Sequence, residues 1–153
     1  MKEFLKQLTN NQQKYQDFIN EAITPFLYRD KRYANHFSII LLYIQNDYYD
    51  YKFENIIRNS DTHFQIDRYL HCAILDSTSN ETYIKGAEDL LYQLQKEHLN
   101  SFYISTVCSE DYNFNEVQMV RNLFDILQSS IKHGTKNIVV DIEYMKELEI
   151  LGS

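Results

Sequence analysis

Apolar residues in the first part of the chain recur at helical spacing. Phe4, Leu5 and Leu8, then Tyr15, Phe18, Ile19, Ala22 and Ile23 share one face, which predicts a helix over about residues 3–23. Thr24-Pro25 interrupts the pattern. Either Thr24 caps a second helix with Pro25 in its first position, or one helix runs on with a kink. Phe26 to Tyr33 carries on, with Arg29, Lys31 and Arg32 exposed. Residues 37–44, Phe-Ser-Ile-Ile-Leu-Leu-Tyr-Ile, form a continuous apolar run, as expected of a central strand covered on both faces. A short helix is expected at about 50–58, then two strands at about 62–67 and 69–75, close enough to pair as a hairpin. Thr78 with Glu81 reads as a capping box ahead of a helix that places Ile84, Ala87, Leu90, Leu91 and Leu94 on one face. Phe102 to Cys108 reads as a strand. Asn115 with Gln118 caps a further helix carrying Val117, Val120, Leu123, Phe124, Leu127 and Ile131, and Lys132-His133-Gly134 closes it. A last strand over Asn137–Ile142 and a short C-terminal helix complete the reading.

This alternation predicts an α/β domain: a five-stranded mixed sheet with a central hairpin, helices on both faces and a long N-terminal helix. At 153 residues the chain can bury one substantial core. The expected organisation is an N-terminal helical segment over 1–24 followed by one domain over 25–153.

Charge and composition narrow the function. A formal net charge of −7 weighs against DNA or RNA binding, which needs clustered Lys and Arg to neutralise phosphates. A local basic pocket for a small anionic ligand stays open. No apolar run is long enough to span a membrane, and Met-Lys-Glu-Phe-Leu-Lys lacks the apolar core of a signal peptide, so the expected compartment is the cytoplasm. Cys72 and Cys108 sit in apolar strand-like runs and read as buried, reduced thiols. None of the three glycines lies in a Gly-rich strand-to-helix turn, so neither a P-loop nor a dinucleotide fingerprint is present. His63 and His71 lie on the two hairpin strands without a third ligand, which does not make a metal site. No cofactor is expected.

Several local patterns, in order, resemble the palm-like, ferredoxin-like α+β domain of GGDEF diguanylate cyclases over about residues 20–142. Arg29-Asp-Lys-Arg-Tyr-Ala-Asn-His-Phe-Ser-Ile-Ile-Leu-Leu-Tyr-Ile44 is similar to the family's Arg-rich turn and first strand. Ala87-Glu-Asp-Leu-Leu91 matches an Ala-x-x-Leu helix, Ile104-Ser105 the start of an Ile-Ser-Val-Gly strand, and Ser130 to Ile138 the closing Ala-Lys-x-x-Gly-x-Asn segment.

The departures fall on the catalytic positions. Where the resemblance implies a metal-holding Asp at the end of the first strand, this chain has Tyr43, and the second acidic position is Gln45. The signature falls on Asp67-Arg68-Tyr69-Leu70-His71, without its glycines or paired acids. The helical insertion that reads guanine is largely deleted between Gln45 and Arg58. Cyclisation of a nucleoside triphosphate needs divalent metal, and Mg²⁺ prefers carboxylate oxygens. Tyr43, Gln45, Tyr69 and Leu70 do not supply them, and the nearby Asp47 and Asp50 read as solvated loop acids. The expectation is a catalytically inactive regulatory domain.

The resemblance implies one retained site. Arg58-x-x-Asp61 stands five residues before the signature, where family members form a product-inhibition site for cyclic di-GMP. An Arg fork suits phosphate or the O6/N7 edge of guanine, and a carboxylate accepts from guanine N1–H and N2–H. Lys85 or Lys96 would supply a basic partner. The competing reading leaves Arg58 ending a helix and Asp61 capping the hairpin. Tyr48, Tyr49, Tyr51 and Phe53 either stack on a base or protein partner, or cover the sheet where the insertion is missing. The functional alternative is an interaction module without nucleotide, pairing as a homodimer or with a protein partner through the stripe at 3–23.

Overall fold

The structure is a computed structural model that describes residues 2–44, 61–96 and 101–151. Helix α1 spans Lys2–Ala22 and α2 spans Thr24–Tyr33. Strand β1 is Phe37–Ile44, β2 Thr62–Asp67 and β3 Leu70–Asp76. Helix α3, Tyr83–Lys96, leads to β4, Phe102–Cys108. A 3-10 turn at Ser109–Asp111 precedes α4, Glu116–His133, then β5, Val139–Val140, and α5, Ile142–Leu151. The strand order is β2-β3-β1-β4-β5. Among the described residues, β4 and β5 run parallel and the other pairs are antiparallel. The hairpin forms where expected and occupies one edge, with β3 beside β1.

The continuous apolar run of β1 is explained by its place. All eight residues are buried, and alternate side chains serve two cores. Phe37, Ile39, Leu41 and Tyr43 face a cluster built with α1, α2 and α4. Ile40, Leu42 and Ile44 face α3, through Ala87, Leu90, Leu91 and Leu94. The α1 stripe enters the first cluster: Phe4, Leu8, Tyr15, Ile19 and Ile23 are buried there. Most of that stripe, the motive for pairing with another chain, is buried inside the protein, while Phe18 stays 48% exposed.

Local boundaries correct two expectations and decide between the two readings at Thr24-Pro25. Thr24 does not cap α2. Its hydroxyl donates to Asn20 O, Ile23 keeps a right-handed helical backbone, and Ile23 N–H donates to Ile19 O. The helical path therefore continues past Pro25, which removes one amide donor. The Thr78/Glu81 box is also not used. Thr78 N–H donates to His36 O and its hydroxyl turns back to Leu75 O, which ties it to the sheet. The turn entering α3 is made by Ser79 and Thr82 instead, Ser79 N–H donating to Thr82 Oγ1 at 2.9 Å. The last strand is shorter than Asn137–Ile142. Asn137 has a left-handed φ of 60° and donates to Phe102 O, while Asp141 Oδ1 accepts from Tyr144 N–H as the cap of α5. Three residues are left between turn and cap, and only Val139–Val140 pair as strand. The other end signals operate as read: Asn115 Oδ1 accepts from Gln118 N–H, and Gly134 takes φ 68° at the end of α4.

The helix expected at 50–58 lies outside the described residues. Among the described residues, no helix is long and apolar enough to cross a membrane.

Candidate functional site

Two places carry the residues singled out by the sequence. The first is the tip of the hairpin, where β1 ends. Tyr43 fills it with an aromatic stack: its ring lies 3.7 Å from Phe4 of α1 and 6.1 Å from both Tyr69 and Tyr103. Burial raises the phenol pKa values of Tyr43 and Tyr103, so both stay protonated near neutral pH. Asp67 is the acid at the turn, and α1 holds it. Tyr15 OH donates to Asp67 Oδ2 at 2.5 Å and Gln7 Nε2 at 3.1 Å, while Arg68 N–H donates to Oδ1 at 2.6 Å. Burial, then the bond to Asp67, raises the Tyr15 phenol well above its ordinary value. This end is closed by aromatic rings and its carboxylate is already engaged. Among the described residues no group of three His, Cys, Asp or Glu is placed to hold a metal ion. Asp47 and Asp50 lie outside them.

The second place is a groove of about 730 Å³ between the end of β3 and α3, lined by Asp61, Leu75, Thr82, Lys85, Asp89 and Tyr92 among others. At Gly86, which lines it, α3 sits close to the sheet. A Cβ there would lie 3.0 Å from Leu75 Cδ1. Asp61 Oδ1 accepts from Asp76 N–H at 2.8 Å, which fixes the carboxylate at the start of β2. The hairpin-capping role expected of Asp61 is therefore real, and it is compatible with lining the groove. Asp76 is anchored in turn, with Arg29 at 3.5 Å and Asn35 Nδ2 at 3.1 Å. Lys85 reaches the groove from the first turn of α3 and is exposed. Tyr92, 58% exposed, forms one wall, with Lys96 Nζ 4.5 Å from its ring centre. Of the two lysines considered from sequence, Lys85 lines the groove and Lys96 stands over Tyr92. Arg58 lies outside the described residues, as do Tyr48, Tyr49, Tyr51 and Phe53.

The remaining candidates resolve as structural. His63 Nε2 and His71 Nδ1 are 3.3 Å apart with the rings stacked. Burial, then His63, lowers the pKa of His71 to about 4. Cys72 and Cys108 are free and buried. Burial pushes the Cys108 thiol up to about 12 and raises Cys72 as well, so neither is a nucleophile near neutral pH. Sequence reasoning missed Gln7, Tyr15 and Thr82. Tyr15 belongs to the apolar stripe of α1 and Gln7 is exposed beside it, but nothing local to either announces a bond to Asp67.

No known family's sequence profile matches the chain, and no curated protein matches it. Solved structures do. The GGDEF domain of TpbB (YfiN) from Pseudomonas aeruginosa is 11% identical over 90% of this chain and 94% of its own, with a TM-score of 0.67. The GGDEF domain of DgcB from Caulobacter crescentus, solved in complex with c-di-GMP, is 9% identical over 84% and 90%, with a TM-score of 0.61. The active GGEEF domain of a diguanylate cyclase from Vibrio cholerae is 16% identical over 74% and 87%, with a TM-score of 0.56. At these identities the likeness is one of fold.

Proposed function

We infer that this GGDEF-like fold does not form a cyclic dinucleotide but receives one, in the groove beside Asp61 and Lys85, with Arg58 as the guanidinium partner. The observation that carries this reading is the convergence of Asp61 and Lys85 on one groove. Their order in the chain gave no guarantee of that. The volume lies within the usual range for small-molecule sites, about 300–1,000 Å³. Lys85 supplies positive charge for a phosphate, the Asp61 carboxylate accepts from a guanine edge, and Tyr92 offers a ring face for stacking. The complex of c-di-GMP with the Caulobacter domain shows that a protein of this fold takes such a ligand.

Loss of catalysis is supported by residue chemistry at the other end. Tyr43, Tyr69 and Leu70 stand where the resemblance implies metal and phosphate ligands, and Phe4 stacks on Tyr43. Neutral phenols do not replace carboxylates on Mg²⁺. A helical segment over 1–24 followed by a domain over 25–153 is part of this proposal, with α1 packed into the same core as α4. A thermal-shift screen with cyclic di-GMP, GTP and cyclic di-AMP tests the reading. A ligand bound only by the folded state raises the melting temperature by mass action. Cyclic di-GMP should raise it in the wild type and not in Arg58→Ala. No shift from any cyclic dinucleotide would remove the receptor role.

A further inference from the structure

A second cleft lies on the other face of the sheet from the groove, where α1, α4 and α5 meet. Its volume is about 440 Å³, within the usual range for small-molecule sites, about 300–1,000 Å³. Leu5 of α1 and Met145 of α5, both packed on the core, give it an apolar lining. Helix α4 supplies a polar wall. Asp125, Gln128, Ser129 and Lys132 follow one another at helical spacing, so they share one face.

Most polar groups of this cleft are already bonded. Ser129 Oγ donates to Glu149 Oε1 at 2.8 Å, and His133 Nε2 stands 3.7 Å from the same oxygen. Gln128 Nε2 donates to Gln12 Oε1 at 2.9 Å. Thr9 Oγ1 donates to Leu5 O at 2.9 Å, which leaves its lone pairs able to accept. Two opposite charges remain. Among the described residues, the side chains of Asp125 and Lys132 make no hydrogen bond or ion pair. Burial raises the Asp125 pKa, and Arg121, one turn earlier, lowers it by less. Lys132 acts through space on Glu149, whose pKa is lowered first by the bond from Ser129. Asp125 and Lys132 are two turns apart, about 10 Å of rise along α4. That separation suits a ligand with an ammonium and a carboxylate a few ångströms apart, one hydrogen bond reaching the protein from each. A simple amine would leave Lys132 unanswered, and a simple acid would leave Asp125 so.

We propose that this cleft binds an α-amino acid with an apolar side chain. The ammonium meets Asp125 and the Thr9 hydroxyl, the carboxylate meets Lys132, and the side chain lies on Leu5 and Met145. The site is separate from the groove beside α3, so the two ligands do not compete for the same residues.

Two-dimensional amide NMR of the full chain tests this, with L-leucine, L-methionine and L-phenylalanine titrated separately to millimolar concentration. At least one should give saturable shifts, and the amides that move should be those of the cleft walls, in residues 125–132 and 5–9. The amide of that amino acid lacks the carboxylate, and its deaminated acid lacks the ammonium. Each should bind roughly tenfold or more weakly, for the loss of one charge-assisted bond. Asp125→Asn should weaken the amino acid by a similar factor and remove its preference over the deaminated acid. Lys132→Gln should weaken it likewise and remove its preference over the amide. Both positions are exposed, and a dispersed spectrum confirms that each variant is folded. No saturable shift from any of the three, or shifts centred outside the cleft, overturns the proposal. Equal affinity for the amino acid, its amide and its deaminated acid overturns it too, as does wild-type binding in either variant.

Discussion

At Asp61 one carboxylate oxygen accepts from Asp76 N–H while the side chain lines the groove. Substitution separates these roles from ligand binding. Asp61→Ala leaves a partly buried amide without this acceptor and should cost about 1–3 kcal/mol in urea unfolding. Lys85→Ala, at an exposed position, should change stability by less than about 0.5 kcal/mol while weakening ligand binding. A large stability loss in Lys85→Ala would make that lysine structural. His71 gives a pH signature. Its folded pKa is lowered to about 4, whereas an unfolded histidine titrates near 6.5. The unfolded chain therefore takes up a proton that the folded chain refuses. This histidine's share of stability is complete above about pH 6.5 and falls as pH drops towards 4, by up to about 1.4 kcal/mol per unit. Across several pH values the wild type should lose stability relative to His71→Leu as pH falls through that window. A pH-independent difference would contradict the buried, neutral imidazole. Sequence singles out Asp61 only through the resemblance and leaves Lys85 and Lys96 as alternatives; the fold is what puts Lys85 on the groove wall. The bonds from Gln7 and Tyr15 to Asp67 span 60 and 52 residues, and one chain read without its fold offers no sign of such pairings.

At the scale of elements, β1 and β4 follow their apolar runs because they lie inside the sheet, where burial on both faces leaves little ambiguity. Ends governed by one hydrogen bond were harder. The cap of α3 moved from Thr78 to the Ser79/Thr82 turn because His36 O already holds the Thr78 amide. The last strand shortened because Asn137 and Asp141 turn and cap the chain on either side of Val139–Val140. The α1 stripe was read correctly as apolar, but its partner was open until α4 and β1 were seen to cover it. Phe4 fixes the start of α1 on Tyr43. Phe4→Ala should cost about 3 kcal/mol, for lost burial and a cavity. The same variant should loosen the contacts of Asp67 with Gln7 and Tyr15. Amide exchange at Arg68, whose N–H donates to Asp67, reads this. Unchanged exchange and unchanged stability would show that α1 does not secure the hairpin tip.

Over the whole molecule, one fold presents two ends of different chemistry. The hairpin tip is filled by aromatic rings, and the groove beside α3 is open with Asp61 and Lys85 on its walls. Incubation with GTP and Mg²⁺ or Mn²⁺ should give no cyclic di-GMP above a no-protein control, and steady turnover would contradict the assignment of Tyr43 to a non-catalytic end. The most direct measurement of the receptor reading is isothermal calorimetry with cyclic di-GMP at tens of micromolar protein, on wild type, Arg58→Ala and Lys85→Ala. The account predicts saturable heat from the wild type and a loss of about 1.5–3 kcal/mol of binding in Arg58→Ala, from a missing charge-assisted hydrogen bond, with Lys85→Ala weakened as well. No heat from the wild type, or equal affinity in all three proteins, would contradict it.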